Sequence, residues 1–447
     1  MAYQLVTFGQ LTTELATRLS DPTNAFWSRS ELQGYLIEAL RTWQAFSRFY
    51  TQKANISTSP GVMFYDLAAL IPGLAPTVTD WDLIRQIESH LMEPISASSW
   101  TGSEQFTYAG VLTAIQNRRD RYRLETGISL STSEVDGPVP PDGVVDLDDR
   151  IIDVRRAMWK SAEGVYNILW PTDEFALTGG TADWFNNVGV PSDYSTILNQ
   201  PLTLQLAPAP ADNGHVHLIT TNSGPALGNS IATVLGVPDD LTWIIKFGAL
   251  ADLFAQNGPA QDQARAKYCE ARWTEGIELA RITNFVKLGY QNGLPRMIDA
   301  MEELDTTYPS WVSDPPGEPF SLVVANNIAA TGPIPDGVYA LSFDVCPSMI
   351  VPQSDQDFIQ VGSEIVDIVL DYAQHLSFLK EGINELVEAN QLYANLIKLA
   401  AVYNDKLRAN SQNFDVLSDR SNRESHSNPR RKTDINLREL AYEEPNA

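Results

Sequence analysis

His215 and His217 stand two residues apart in an alternating run that reaches Ile219, so a strand there turns both imidazoles to one face. Such a pair ligates a metal when a third donor converges on it, and the acidic cluster Asp142, Asp146, Asp148 and Asp149 could supply one. The chemistry would be metal-assisted hydrolysis. The plainer readings are preferred for both groups. The acidic loop lacks the ligand order and closing Glu of an EF-hand, so solvated turn carboxylates beside a solvated strand face account for the pattern. His375 lies on the apolar seam of a helix, where a hydrogen-bonded core histidine is expected. Cys269 sits in a small-residue seam as a buried thiol, and Cys346 precedes Pro347, with no histidine beside either in sequence. Arg118, Arg119, Arg121 and Arg123 make one helix basic; they could bind phosphate, but a solvated face paired with the chain's many carboxylates is preferred.

The sequence holds no phosphate-cradling Gly-rich loop with Lys-Ser/Thr, no dinucleotide fingerprint, no nucleophile elbow and no histidine pair at helical metal spacing. With five histidines in 447 residues, metal and general-base schemes have few groups to draw on. The expectation is a protein that is not an enzyme, with no catalytic residue, cofactor or metal. Lys and Arg total 31 against 56 Asp and Glu, a formal charge of −25, which argues against nucleic-acid backbone binding as the main activity. A hydrophobic share of 43% suffices for a sizeable core, and two cysteines are too few for a disulfide framework. The apolar stretch from Leu241 to Phe254 is broken by Lys246 and Asp252, short of the about 20 apolar residues a membrane span needs. The opening MAYQLVTFGQ has neither a basic nor an apolar signal region, so an intracellular product without a secretion signal is expected.

The elements that must position these groups begin with two helices. Thr7 with Gln10 and Ser28 with Glu31 are capping-box pairs, and the apolar residues after each recur at steps of three and four. Pro and Gly punctuation from Ser57 to Trp100 suggests strands at Val62 to Leu67 and Leu83 to Leu91. A helix returns over 103–125, followed by strands at 143–147 and Ile151 to Trp159 that echo the earlier pair. A second echo is clearer. Pro208, Pro210, Asp212 and Gly214 precede the strand His215 to Ile219, and Pro333, Pro335, Asp336 and Gly337 precede Val338 to Phe343; each is followed by a Val-Pro step and two helices. This reads as a diverged duplication of strand, strand and helical hairpin. The seam Ala266, Cys269, Gly276 and Ala280 around Trp273 permits close approach of another helix, and Gly382 separates two helices that should pack antiparallel.

The predicted fold class is α+β: a helical bundle of long hairpins with inserted small antiparallel β modules and an extended C-terminal arm. The predicted boundaries are an N-terminal helical hairpin at 1–58, a β-rich insertion at 59–102, a bundle helix at 103–127 and a β-rich module at 128–237. A helical hairpin at 238–290, a linker with a second β module at 291–356, a hairpin at 357–408 and the arm at 409–447 follow. The arm carries Arg420, Arg423, Arg430, Arg431, Lys432 and Arg438 in an acidic protein. Docking on an acidic partner and a disordered tail are equally compatible with it.

The opening, in which a helix runs through Arg18-Leu19 to Asp21 and Trp27-Ser28 starts a second one, Glu31-Leu32 to Trp43, resembles the N-terminus of head-to-tail connector (adaptor) proteins of tailed bacteriophages. Trp184, Gly189, Pro191 and Tyr194, then Leu202-Thr203-Leu204 with Pro208, Pro210 and Gly214, look like the same class of neck protein. The resemblance implies a structural virion protein at the head-to-tail interface, assembled in the host cytoplasm as a ring, commonly a homo-dodecamer. It would bind the portal protein above and tail or nozzle proteins below, with genomic duplex DNA only in transit and no membrane. An acidic lumen suits that passage, because it repels phosphates. Other readings are a different neck, tail or receptor-binding virion protein, or a metal-dependent hydrolase built on His215, His217 and an Asp of the 142–149 loop.

Overall fold

The computed structural model describes residues 6–92, 105–135, 139–180, 184–197, 202–228, 233–283, 286–291, 294–296, 298–299 and 301–418. The six cationic residues of the predicted arm, Arg420 to Arg438, lie outside them.

The helices α1 (Phe8–Arg18) and α2 (Arg29–Ser47) start at the two predicted capping boxes. Next, α3 (Asp80–Leu91) corrects the sequence reading, which has a strand at Leu83 to Leu91. Thr79 and Asp82 form a further capping box, and Leu83, Ile84 and Ile87 are buried at helical spacing. The described part of 59–102 therefore holds more helix than strand. The remaining long helices are α4 (Tyr108–Thr126), α5 (Thr242–Ala255), α6 (Gln263–Ile282), α7 (Ser363–Glu381) and α8 (Asn390–Ser418). Residues 409–418 of the predicted arm thus continue a helix. One apolar cluster runs through all eight helices. The small-residue seam serves the expected close approach, since a Cβ on Gly276 would stand 2.6 Å from Ile244 Cγ1.

The strands overturn the expected bundle with small β modules. The molecule is 45% helix and 22% strand, and seven strands form a curled half-barrel. These are β3 (Leu130–Glu134), β4 (Val144–Asp146), β5 (Ile151–Lys160), β6 (Tyr166–Pro171), β7 (Asp193–Ile197), β8 (Thr203–Ala207) and β9 (His215–Asn222). Their order is β3-β9-β5-β6-β7-β8-β4, antiparallel except at β6–β7. The reason for the misreading is physical: strands this short, parted by turns, look like local hairpins, whereas β9 inserts between β3 and β5 by long-range pairing that no local period reports.

Two further sheets hold β1 (Gln52–Ser57), β2 (Phe64–Asp66), β10 (Val286–Gln291), β11 (Leu294–Arg296), β12 (Ile298–Asp299), β13 (Ser321–Ala325), β14 (Ile328–Gly332) and β15 (Ala340–Val345). Their orders are β1-β15-β10-β11 and β12-β13-β14-β2. Placed end to end, they repeat the seven-stranded sheet with β6 split into β11 and β12. Every pairing has the same sense, including the parallel step, now β12–β13. Beside one sheet Gly189 pairs in parallel with Pro210; beside the other Gly317 bridges Pro335 in the same way. The peptide bonds Ala207–Pro208 and Gly332–Pro333 are both cis.

The duplication is thus wider than the sequence echo, and nested. An inner unit, α3, α4, β3 to β9, α5 and α6, is inserted into an outer unit made of α1, α2, β1 and β2 before it and β10 to β15, α7 and α8 after it. Of the other echo, β2 and β4 correspond, but the segments that follow them are a helix and a strand.

Candidate functional site

The predicted chemistry-bearing residues go to three kinds of place. His215 and His217 share a strand face as expected, but at His217 that face is half-buried rather than solvated. Its ring stacks on Phe64 at 4.8 Å and meets Tyr166 edge-on, and burial lowers its pKa to about 4. The acidic loop is spent on its own turns: Asp142 accepts from Val144 N, and Asp148 binds Arg150, whose hydrogen bonds lower the Asp148 pKa to about 2. Among the described residues no group of three or more His, Cys, Asp or Glu side chains could hold a metal ion. Cys269 and Cys346 are both buried, and burial pushes Cys269 up to about 12.

The basic helix α4 is corrected as well, because three of its four arginines point inward. Arg119 is 0% exposed and donates to Pro225 O; Arg123 donates to Asn222 O and Gly236 O, and burial lowers it to about 10. Arg118 forks between Asp252 and Glu270 above the Trp273 ring. Arg121 alone of the four is exposed, paired with Glu125. The arginines clamp loops and helices of the inner unit, which leaves no phosphate-ready patch there.

The residues the sequence reading missed lie where the two units' helices meet. Lys246 of inner α5 is fully buried and bound to Glu38 of outer α2, with His90 of inner α3 at 3.4 Å from its amine. Burial lowers the Lys246 pKa against the pull of Glu38, and burial, then Lys246, holds His90 well below its usual value. Arg272 of inner α6 donates to Tyr372 Oη of outer α7 at 2.7 Å and lies 3.7 Å from the centroid of the Tyr393 ring of α8. His375 of α7, on its predicted apolar seam, hydrogen-bonds Tyr268 Oη of α6 at 2.7 Å and Ala389 O at 3.1 Å. Burial lowers it to about 3. Asp239 and Asp240, leading into α5, accept from Val78 N and Met349 N, and burial raises Asp240 to about 7.

A cleft of about 590 Å³ opens above the Lys246 pair, between α2 and α3. Glu38, Arg41, Asp82, Arg85 and His90 line it, and Glu38 Oε1 and His90 Nδ1 have no protein partner. A buried ammonium–carboxylate pair beside a neutral imidazole fixes charge at a seam, and removing one member leaves the other uncompensated. Two signals in the sequence pointed here: Lys246 interrupts an apolar run, and Arg272 adjoins the small-residue seam. Their partners are not readable locally, since Glu38 and Lys246 are 208 residues apart.

At the level of the sheets, the outer unit's helix Met301–Thr307 and 3-10 turn Pro309–Val312 pack on the face of the inner sheet that carries Met158 and Ile219. Trp311, Met301 and Leu304 bury against Leu130, Met158, Tyr166 and Ile219. Arg156 of β5 binds Asp305 at 2.6 Å, and Asp305 also accepts from Trp311 Nε1 at 2.8 Å. The arrangement is built to hold two like units face to face. Compared with known proteins, the chain matches no family model, and no curated protein matches it in sequence.

Proposed function

We propose that this chain is a structural protein of a tailed-phage neck, a ring-forming head-to-tail adaptor beneath the portal that continues the DNA channel into the tail. The observation that carries the reading is the nested repetition. A chain whose two like units are joined by a packed, charge-stitched contact is a building block for repeated contacts. The opening helix pair on which the family resemblance rests supports it: both capping boxes form, and α2 packs into the common helical core. The charge of −25 supports a conduit that duplex DNA traverses without adhering. Arg420, Arg423, Arg430, Arg431, Lys432 and Arg438 are then the segment that grips an acidic portal surface.

The test is to mix the purified chain with its portal and image the product. Coaxial rings of the two proteins are expected, with docking that weakens as salt rises and on truncation after Ser418. Absence of any joint complex at low salt overturns the adaptor role.

A further inference from the structure

Where the outer unit's strands turn back, at the end opposite to the one where β1 joins α2, the chain sets aromatic rings among carboxylates. The Tyr308 and Phe320 rings lie 6.2 Å apart, and Tyr308 Oη donates to Asp314 at 2.7 Å. Asp336 N donates to Gly317 O, which brings the turn after β14 up to Glu318. Tyr339 Oη donates to Asp336 at 2.5 Å; that bond foremost, with desolvation and the charges of Asp336 and Glu318, pushes the hydroxyl up to about 12. Val338 is 71% exposed, and Tyr308 and Phe320 are exposed as well.

The segments that build this end, 54–66 and 308–339, contain no Lys or Arg, and none occurs anywhere in 297–379, a stretch with 13 Asp and Glu. The chain's cations are concentrated elsewhere. Segment 420–438 holds Arg420, Arg423, Arg430, Arg431, Lys432 and Arg438 against Glu424 and Asp434, with Ile435 and Leu437 among them. The two compositions are complementary, since carboxylates take Arg forks and aromatic faces take guanidinium planes. The segment also starts within reach. Helix α8 runs beside α2 in the same direction, from the end of α7, where Lys380 binds Glu31, to Tyr403, whose ring meets Trp43. Its 14 residues after Asn404 rise about 21 Å. The 12 residues from Phe46, whose carbonyl Asn404 holds, to Thr58 span at most about 43 Å, and the 20 from Ser418 to Arg438 extend to about 70 Å. The third length matches the sum of the first two, so segment 420–438 reaches the outer end of its own chain whichever way α8 points.

We propose that the outer end, with Asp314, Glu318, Asp336 and the rings of Tyr308 and Phe320, is a docking surface for the chain's own segment 420–438. A tethered segment meets such a surface at a high effective concentration, so a few exposed ion pairs suffice to seat it. An acidic portal surface then competes for the same arginines, and docking on the portal exchanges one acidic face for another. That exchange rests on the adaptor reading; the seat on the outer end does not.

Trypsin cuts after Lys and Arg, so the rate of its cleavage within 420–438 of the full chain reads whether the segment is seated. An outer variant, Asp314→Asn with Glu318→Gln and Asp336→Asn, removes the charge but keeps acceptors for Tyr308 and Tyr339. An inner variant, Glu163→Gln with Glu174→Gln and Asp212→Asn, removes as much charge from exposed carboxylates of the other unit. At low salt the outer variant is expected to be cut about five- to tenfold faster than the wild type, and the inner variant at the wild-type rate. Added salt is expected to speed cleavage of the wild type but not of the outer variant. Equal rates for wild type and outer variant at low salt, an inner variant cut as fast as the outer one, or a wild-type rate indifferent to salt overturns the docking surface. Protection that grows with chain concentration moves the segment onto a second copy and overturns the seat within the chain. With portal added, the outer variant is expected to bind it several-fold more tightly than the wild type does; equal binding overturns the exchange. A portal that binds neither chain overturns the adaptor reading and leaves the seat standing.

Discussion

Trp311 and Trp184 occupy the same place in two copies of one fold, yet Trp311 is fully buried and Trp184 is not. The local structure is shared, down to the indole hydrogen bond that anchors each turn. What differs is the neighbour: the turn that carries Trp311 packs on the inner sheet, whereas Trp184 stays half-buried. Equivalent positions in a duplicated chain therefore have unequal worth to the fold, and the inequality can be measured.

The largest difference is expected at the tryptophans themselves. Trp311→Ala should cost about 3 to 5 kcal/mol in urea unfolding, since it empties a closed site and loosens the Asp305–Arg156 pair. Trp184→Ala should cost less than about 1 kcal/mol. Equal losses at the two sites would mean that the units do not differ in packing. A comparable loss, about 3 to 5 kcal/mol, is expected for Glu38→Ala, which strands the Lys246 ammonium between the units' helices. Replacing Glu38 and Lys246 together by Met should recover most of it. A double variant as unstable as Glu38→Ala would assign the loss to packing instead of charge.

The contrast between the units also explains what was legible in the sequence. Helices α1 and α2 and the hairpins α5–α6 and α7–α8 follow from caps and three-and-four spacing, signals carried within about 20 residues. Helix α3 was missed because its Pro/Gly-rich surroundings outweighed the cap at Thr79, although Leu83, Ile84 and Ile87 carry the helical period. The half-barrel was out of reach, because its order depends on which distant strands pair. The outer sheet was further hidden by the insertion, which separates β2 from its partner β14. The seam charges were invisible for the same reason: Arg272 and Lys246 read as ordinary cations until α2, α7 and α8 are packed around them.

Acid sharpens the comparison, since His217 is half-buried between Phe64 of the outer unit and Tyr166 of the inner one. His90, His217 and His375 have lowered folded pKa values, to about 4 for His217 and about 3 for His375, so each is neutral in the fold and protonated on unfolding below about 6.5. The unfolded chain then binds more protons, and stability falls as pH drops from 6.5 towards 4. Each histidine contributes about 1.4 kcal/mol per pH unit. Asp240, raised to about 7, binds its proton more readily in the fold and offsets one of the three. His217→Phe should flatten the urea-midpoint slope over this window by one histidine's share; an unchanged slope would place His217 in solvent and the outer unit off the inner sheet.

The smallest effect is expected at Phe175, in the helix Glu174–Gly180. An apolar ring that is 90% exposed gains almost nothing from folding, since burial of its area is what would stabilise it. Phe175→Ser, measured on monomeric protein, should leave the unfolding free energy within about 0.5 kcal/mol. Leu304→Ser, in the outer unit's helix Met301–Thr307, should lose about 2 to 4 kcal/mol, because it removes buried methyl groups and leaves a hydroxyl in their place. If Phe175→Ser costs as much as Leu304→Ser, the helix Glu174–Gly180 is packed within the fold as closely as the outer unit's helix Met301–Thr307, and the two units do not differ there.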